Sequence, residues 1–205
     1  MTVNPWSPKE VADAHGYFHN LNEISPHHDV FASFISGQDN ARIIDIGCGN
    51  GRVLNNLDKY SSYLGIDTCK DLINSTTEYF KNEKNVSFLT LDIEKDFWPE
   101  TMNAYNIIYL DSTFEMMNDP LLLLQKIIKK FDTIFFNRLQ LFDLGETSCS
   151  KGTYKWGGMR EECPRWKLSK KFLNNFAESN GGNFKIVSSE SHVDGVCTCA
   201  ILYER

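Results

Sequence analysis

The sequence predicts an α/β fold, a doubly wound and mostly parallel sheet with helices on both faces. Three observations predict it. Short β-branched runs alternate with helical stretches, which is the pattern of consecutive strand–helix–strand units. A glycine-rich turn closes the first of these runs. Near the carboxyl end, Asp194-Gly195 lies between two strand-like runs and predicts a closing hairpin, which adds an antiparallel edge.

Seven runs rich in Ile, Val, Leu and Tyr end at turn residues and are predicted to be strands. They cover residues 41–46, 63–67, 86–90, 105–111, 132–137, 184–191 and 196–203. Helices are predicted between them at residues 51–57, 70–81, 120–130 and 170–179. The third helix has Asp119 as its N-cap and Pro120 at its first position. The fourth is capped by Ser169 and stops at Gly181-Gly182.

Two segments lie outside this alternation. Residues 1–40 contain helix starts at Ser7-Pro8 and Ser25-Pro26, and Gly37 ends the second helix. Residues 138–167 form a long irregular stretch, which in a compact domain is usually functional or mobile. We therefore expect a single domain with four parts. These are a helical cap (1–40), a core (41–137), a substrate-side insertion (138–167), and a closing helix and hairpin (168–205).

Composition excludes several classes of protein. The formal charge of −6, from 27 acidic and 21 basic residues, disfavours a nucleic-acid partner, since phosphate backbones are bound mainly by Lys and Arg. No apolar run approaches the ~20 residues of a membrane span, and the start lacks a secretory signal. We expect a cytoplasmic protein. The six cysteines show no CxxC pair and are expected to be free thiols, without a metal site.

One segment carries the chemistry: Asp45-Ile-Gly47-Cys-Gly49-Asn-Gly51-Arg52, at the end of the first strand. Glycines are needed there because side chains would keep the backbone from closing on a ligand. Asp67 ends the second strand, 20 residues after Gly47, where a carboxylate can bind both hydroxyls of a ribose. An ordinary strand-to-helix turn is the alternative, but the position of Asp67 favours a nucleoside ligand.

Spacing and charge indicate which nucleoside. Dinucleotide sites favour G-x-G-x-x-G and place a diphosphate at a helix N-terminus. Here the spacing is G-x-G-x-G, and Asp45, two residues before the first glycine, would repel a phosphate and attract a cation. The segment resembles the first motif of the class I S-adenosylmethionine-dependent methyltransferases. The resemblance implies S-adenosyl-L-methionine as the cofactor, which carries a positive sulfonium and an amino group.

Three later segments resemble the other motifs of that family, in the same order. Tyr63-Leu-Gly-Ile-Asp67 is similar to the ribose-binding motif. Leu91-Asp92-Ile93 is similar to the motif in which an acid binds the adenine amino group and an apolar neighbour packs on the ring. Residues 107–115 resemble the fourth motif, and the closing hairpin fits a seven-stranded sheet whose last strand is antiparallel. The implied cofactor-binding residues are Asp45, Gly47, Cys48, Gly49, Gly51, Asp67, Thr68, Asp92, Ile93 and Leu110.

Simpler roles stay open for several of these residues. Asp45 either contacts the methionine moiety or caps the turn. Asp92 either binds the adenine or serves as an N-cap or solvated acid. Cys48 is expected to contribute backbone contacts rather than to act as a nucleophile.

The resemblance implies methyl transfer by in-line displacement, in which positioning alone can supply roughly 7 to 11 kcal/mol. A general base is needed only where the acceptor is protonated. The candidate catalytic residues are Asp111, Glu115 and His19, with His15, His27 and His28 as further candidates. Each histidine has an ordinary surface or core role as its alternative, and Asp111 has that of lining the cofactor pocket.

A small-molecule acceptor is favoured by what the sequence lacks. The fourth motif reads Asp111-Ser-Thr-Phe114, without the Pro-Pro pair of adenine and glutamine N-methyltransferases. The cysteine pair of pyrimidine C5 methyltransferases is missing too. Arg138 and Arg160 are predicted either to bind an acidic group of the acceptor or to form surface ion pairs. An apolar acceptor pocket, or plain core packing, is predicted for Tyr17, Phe18, Phe114, Met116, Met117, Trp156 and Trp166.

Two other functions stay open from the sequence. An NAD(P)-binding oxidoreductase is disfavoured by Asp45, by the glycine spacing and by the absence of a Tyr-x-x-x-Lys pair. A non-catalytic cofactor-binding partner subunit is disfavoured by the intact set of cofactor residues. The sequence does not name the acceptor, the methylated atom or the oligomeric state.

Overall fold

In the computed structural model, the described residues are 21–142, 146–156, 159–191 and 196–205. Five parallel strands form the centre of the sheet, in the order β3-β2-β1-β4-β5. They are β1 (Arg42–Ile46), β2 (Ser62–Asp67), β3 (Val86–Thr90), β4 (Ile107–Asp111) and β5 (Thr133–Phe142). Each coincides with a predicted run, so the parallel core is confirmed.

Four further strands follow: β6 (Ser148–Trp156), β7 (Met159–Ser169), β8 (Asn183–Ser191) and β9 (Val196–Glu204). β9 pairs antiparallel with both β5 and β8. The sheet therefore runs β3-β2-β1-β4-β5-β9-β8, and its last strand along the chain is the antiparallel one. This confirms the predicted fold class.

Residues 138–167 differ from the sequence expectation, because they are largely regular. β5 continues to Phe142, since Leu139 and Leu141 keep the alternation of buried side chains and pair with β9. β6 and β7 then pair with each other antiparallel. The sequence pattern hid this hairpin because Gly152 and Pro164 are strand-breaking residues within it.

The hairpin of β6 and β7 stands above the carboxyl end of β4. β4 pairs with β5 only as far as Asn137, and residues 168–169 of β7 then pair in parallel with residues 141–142 of β5. β9 pairs along the opposite edge of β5. β7 therefore lies on the same side of β5 as β4, just beyond the end of β4. Nε1 of Trp166 donates to the carbonyl of Met117 (3.0 Å), which ties β7 to the segment after β4.

The four α-helices are α1 (Asp29–Ser36), α2 (Lys70–Tyr79), α3 (Pro120–Ile128) and α4 (Lys170–Ser179). Short 3-10 turns cover Pro26–His28, Arg52–Asn56, Glu100–Ala104 and Phe114–Met116. Neighbouring side chains of β1 face opposite ways: Ile44 packs with α3 and α4, and Ile43 with α1. Helices thus cover both faces of the sheet, as predicted. Within the described part of the chain, no helix is both long and apolar enough to span a membrane.

Two predicted helix caps are confirmed by their contacts. The Asp119 carboxylate accepts a hydrogen bond from the backbone N–H of Leu122 (2.9 Å). Oγ of Ser169 accepts one from the N–H of Phe172 (3.0 Å). A side-chain cap of this kind stabilises a helix by about 1 kcal/mol.

The segment after the glycine-rich turn is a 3-10 turn, where the sequence predicted a helix over residues 51–57. Gly51, at its N-cap, has a left-handed φ of +69° and offers no side-chain oxygen. A segment this short makes too few i→i−4 bonds to offset helix nucleation, so the tighter 3-10 form results. Val53 and Leu54 are buried in it and pack on the face that α1 covers.

Candidate functional site

The glycine-rich loop lies at the carboxyl end of β1, beside the end of β2. Gly47, Gly49 and Gly51 have φ values of +74°, +55° and +69°. The N–H groups of Gly47 and Cys48 both donate to the carbonyl of Ile66, at 2.8 and 3.0 Å. Because these φ values are unfavourable for residues with a Cβ, the path of the loop requires its glycines.

Side chains from two neighbouring segments pack closely against the glycines of the loop. A Cβ at Gly47 would lie 2.5 Å from Cγ2 of Thr113, in the segment that follows β4. A Cβ at Gly51 would lie 3.1 Å from the ring of Phe88 on β3. Oγ1 of Thr113 donates to the carbonyl of Asp111 (2.9 Å), which fixes the neighbour of Gly47. The side chain of Thr113, in the segment after β4, therefore packs directly against the backbone of Gly47.

Asp67 ends β2 with its carboxylate against this loop. Its Oδ2 accepts a hydrogen bond from the N–H of Gly49 (3.0 Å), and its Oδ1 accepts one from the N–H of Cys69 (2.9 Å). Burial raises the pKa of Asp67, and hydrogen bonds from Cys69, Gly49 and Thr68 oppose the rise. The residue stays partly exposed, and a carboxylate has about four acceptor positions. The carboxylate of Asp67 thus lies against the glycine-rich loop, and its contact with a ribose stays a prediction.

Asp45 lies beneath the loop. It is 3% exposed, and its Oδ2 accepts a hydrogen bond of 2.5 Å from the hydroxyl of Tyr63. Burial raises the pKa of Asp45 to about 8, against the opposing effect of the Tyr63 hydrogen bond. The carboxyl is therefore mostly protonated at neutral pH and supplies little charge to a cation. Its contact with the methionine moiety stays a prediction, and its partner in the structure is Tyr63.

Asp92 and Ile93 form a turn after β3. Oδ1 of Asp92 accepts a hydrogen bond from the N–H of Glu94 (3.1 Å), and Oδ2 pairs with Nζ of Lys95 (2.6 Å). Ile93 is buried, and its carbonyl accepts a hydrogen bond from Nε1 of Trp98 (3.0 Å). Asp92 thus has the local turn contacts of its simpler role. Contact of both residues with adenine stays a prediction.

Three more predicted cofactor residues lie in this region. Burial raises the pKa of the Cys48 thiol well above its ordinary value, so Cys48 is a poor nucleophile. Leu110 is 1% exposed and its side chain belongs to the core, which leaves only its backbone for a ligand. Thr68 is partly exposed next to Asp67.

Asp111 ends β4 and is bound by Arg138 of β5. Nε and Nη2 of Arg138 donate to Oδ1 and Oδ2, each at 2.7 Å, and Nδ2 of Asn137 donates to Oδ1 at 3.2 Å. The side chain of Asp111 is 13% exposed and that of Arg138 is 39% exposed. The ion pair that the sequence analysis left open for Arg138 is therefore present, and it is partly buried.

A polar network lies behind this pair. The hydroxyl of Tyr109 is 3.1 Å from Nδ2 of Asn137 and 3.0 Å from Nδ1 of His28. Nδ2 of Asn137 also donates to the carbonyl of His27 (2.9 Å). Burial lowers the pKa of His28 to about 4, so its imidazole is neutral at pH 7. Sequence reasoning missed Tyr109 and Asn137; the available signal was that Asn137 ends its predicted strand as Asp111 ends the neighbouring one.

His27, His28 and Asp111 place one possible ligand atom each within 4.8 Å of one another, as a divalent metal site would. Arg138, however, donates to both oxygens of the Asp111 carboxylate. Both oxygens of the carboxylate in this group are therefore already engaged by a cation, which weakens Asp111 as a metal ligand.

The other predicted acceptor-side residues divide into two groups. Phe114 and Met117 are buried in the core, and Glu115 between them is 6% exposed. Met116 and Trp166 are partly buried. The remaining predictions lie outside the described residues or concern side chains outside the described part: His15, Tyr17, Phe18, His19, Trp156 and Arg160.

Three solved structures illustrate which known proteins share this fold. The N-terminal domain of EvdMO1 with S-adenosylhomocysteine (SAH) bound has a TM-score of 0.67 at 15% identity, covering 93% of this chain and 84% of that one. CalS10 from Micromonospora echinaspora, an amino pentose methyltransferase with S-adenosylmethionine bound, has a TM-score of 0.59 at 10% identity, covering 93% and 96%. The [4+2]-cyclase SpnF has a TM-score of 0.61 at 13% identity, covering 87% and 79%.

Identities this low establish the fold, and the cyclase shows that this fold alone does not define a reaction. No curated protein sequence matches the chain. A family model described as "Methyltransferase domain" matches residues 38–181, which is more than half of the chain. The matched segment contains the glycine-rich loop, Asp67 and Asp111. The chain thus belongs to the methyltransferase-domain family and is a class I S-adenosylmethionine-dependent methyltransferase.

Proposed function

We propose that the protein transfers a methyl group from S-adenosylmethionine to a small-molecule acceptor by in-line displacement. The hydrogen bond from Gly49 to Asp67 is the observation that carries the proposal. It joins the glycine loop and the ribose-binding acid in one corner, and the close approach of Gly47 to Thr113 places the end of β4 beside them. The cofactor and acceptor sides of such a reaction are thus adjacent.

The residues of this corner fit the cofactor. The left-handed φ values at Gly47, Gly49 and Gly51 give the loop a path that only glycines adopt readily, and Asp67 offers oxygens for the ribose hydroxyls. Asp92 and Ile93 are proposed to bind the adenine. When bound, S-adenosylmethionine supplies a methyl group on positively charged sulfur, which keeps the bonding electron pair as the acceptor's lone pair forms the new bond.

The acceptor side is proposed to lie between the end of β4 and the hairpin of β6 and β7. Trp166 fixes the hairpin to the segment after β4 through Met117, so the hairpin is suited to exclude water from the acceptor. This supports the predicted role of residues 138–167 as a substrate-side insertion.

Asp111, Glu115 and His19 remain the proposed acceptor-side groups. The contacts of Asp111 with Arg138 favour an orienting role for this carboxylate, because both oxygens already accept hydrogen bonds from a guanidinium. Proton removal, where the acceptor carries a proton, is proposed for Glu115 or for a histidine of the cap. The acidic net charge and the likeness to an amino pentose methyltransferase support a small acceptor. A cytoplasmic location and a single-domain organisation remain predictions.

Calorimetric titration with S-adenosylmethionine, SAH and NADH tests the cofactor site. We expect binding of the first two and not of NADH. Asp67→Asn should weaken SAH binding by about tenfold or more, since hydrogen bonds to a charged group are each worth about 1.5–3 kcal/mol. Asp71→Asn is the matched control, because Asp71 is exposed on α2. Binding of NADH alone, or equal affinities in both variants, would contradict the proposal.

Methyl transfer itself is tested with labelled S-adenosylmethionine and a panel of sugars, amines, phenols and acids. Label in a small product, lost in Asp67→Asn and retained in Asp71→Asn, is the expected result. Label transferred only to protein or nucleic acid would show that the proposed acceptor class is wrong.

A further inference from the structure

The guanidinium of Arg138, ion-paired with Asp111, has a fixed orientation. Nε and Nη2 of Arg138 bond the two oxygens of Asp111 at 2.7 Å each, which allows the guanidinium plane one orientation. Asn137, itself 3% exposed, donates to the same carboxylate at 3.2 Å. Asp111 is the more buried member of the pair, at 13% exposure against 39% for Arg138. Arg138 is therefore the more accessible member of the pair.

The backbone is distorted where these residues stand. Arg138 has a φ of +54°, and Ser112, directly after Asp111, has a φ of +48°. The pairing of β5 with β9 shifts register between Phe136 and Leu139, around Arg138. Left-handed conformations at residues with a Cβ are strained, and such strain is concentrated at functional sites. The bulge allows Arg138 to reach Asp111 on the neighbouring strand.

The two histidines near the pair, His27 and His28, add no charge to it at neutral pH. Burial holds the pKa of His28 near 4 and also lowers the pKa of His27, so both rings are neutral donors or acceptors. The hairpin of β6 and β7 lies beyond the carboxyl end of β4, because β7 pairs with β5 past the point where β4 stops pairing with it. A guanidinium in such a partly enclosed place interacts with an anion more strongly than one on an open surface.

On the basis of the proposed function, we infer that Arg138 binds an oxyanion of the methyl acceptor, a carboxylate or a phosphate, while Asp111 positions the guanidinium. A guanidinium has five N–H donors, of which Nε and Nη2 each give one to Asp111 here, and its planar donor geometry suits either oxyanion better than an ammonium does. The acceptor is accordingly an acidic small molecule, and Arg138 determines specificity for it. Asp111 is a positioning residue in this arrangement.

The test uses the full chain saturated with SAH and three probes: benzoate, inorganic phosphate, and benzamide as the neutral match of benzoate. Calorimetric titration is expected to show that at least one anion binds about tenfold more tightly than benzamide. Preference for benzoate would identify a carboxylate acceptor, and preference for phosphate a phosphorylated one. Failure of both anions to bind better than benzamide would overturn the inference.

Three variants locate the effect. Arg138→Gln should lower anion affinity about tenfold and leave SAH affinity unchanged, and Arg138→Lys should be intermediate, because it keeps the charge and loses the paired donors. Arg205→Gln is the control. Arg205 is 40% exposed and pairs with Asp132, which directly precedes β5 at the amino ends of the parallel strands.

Anion binding that survives in Arg138→Gln, or that is lost equally in Arg205→Gln, would refute the role of Arg138. Absence of SAH binding to the wild-type chain would instead refute the proposed function, so the two failures are distinguishable.

Discussion

The hydroxyl of Tyr63 on β2 donates a hydrogen bond to the carboxyl of Asp45 on β1, and both side chains lie within the core. The two strands are neighbours in the sheet, with Tyr63 opposite Ile43. The acid that the sequence suggested for the ligand is therefore satisfied by the protein itself. Its burial has consequences for the stability of the fold.

Asp45→Asn should change how stability depends on pH. The pKa of Asp45 is about 8 in the folded state against 3.8 as the ordinary value. Between these values the unfolded chain loses the proton and the folded chain keeps it, so wild-type stability falls as pH rises from 4 to 8. The variant should lose less stability than wild type between pH 5 and 8, by up to about 4 kcal/mol. Urea unfolding at each pH measures this.

Asp58→Asn is the control for that series, because Asp58 is exposed in the segment between β1 and β2. It should show the wild-type slope. A slope for Asp45→Asn that equals the wild-type slope would show that Asp45 is ionised in the folded protein.

His28→Asn should change the pH dependence of stability at lower pH, in the range where wild-type stability falls as pH falls. The pKa of His28 is about 4 in the folded state against 6.5 as the ordinary value, because burial outweighs the attraction of Asp111. As pH falls from 6.5 to 4, His28 becomes protonated in the unfolded chain but stays neutral in the folded chain, so wild-type stability falls. The variant should escape up to about 3 kcal/mol of that loss. The neighbouring His27→Asn should escape less, since His27 is less buried; equal effects would contradict the assignment.

Gly47→Ala should destabilise the fold by about 2 kcal/mol or more, and it should weaken SAH binding. The φ of +74° and a Cβ at 2.5 Å from Thr113 both oppose the substitution. Gly181→Ala is a matched control, because Gly181 has a φ of +75° and no atom within 4 Å of its Cβ position. It should cost about 1 kcal/mol and leave SAH binding unchanged.

Thr113→Ala should partly restore the Gly47→Ala variant, since it removes the two atoms nearest the added methyl group. A thermodynamic cycle of the two substitutions, measured by thermal unfolding, gives the coupling. Simple additivity would show that backbone strain alone determines the requirement for glycine.

Tyr203→Phe should leave stability unchanged or raise it by up to about 1 kcal/mol. Tyr203 is fully buried, and its hydroxyl has no hydrogen-bond partner among the described residues. A buried polar group without a partner costs free energy, so its removal is favourable. Tyr63→Phe should instead destabilise the protein, because it deprives Asp45 of its donor. Urea unfolding of both variants compares them, and a destabilised Tyr203→Phe would reveal a hydrogen-bond partner.

Local signals predicted much of the fold. The runs that became β1 to β5 were recognisable because apolar β-branched residues end at turn residues within a few positions. The caps at Asp119 and Ser169 were recognisable because an N-cap bond joins residues three apart. The hairpin of β6 and β7 was missed, since its strands are held by pairing with each other rather than by an alternating pattern.

The candidate site was predictable only in part, for a related reason. The glycines and Asp67 stand at positions that strand order alone brings together, because parallel strands end at one edge of the sheet. Tyr109 and Asn137 looked like ordinary strand residues. Their network with His28 depends on the register between β4 and β5 and on where the chain before α1 crosses these strands.

The sequence by itself determined the parallel core, the helices α2, α3 and α4 and the corner in which Gly49 meets Asp67, because each follows from short-range chemistry and the chirality of strand–helix–strand units. Only the tertiary structure decided the states of its charges. Asp45 is buried beside Tyr63 and holds its proton, whereas Asp111 is bound by Arg138 across a bulge. Burial and the distance to a partner set the charge of a carboxyl group, and both are properties of packing.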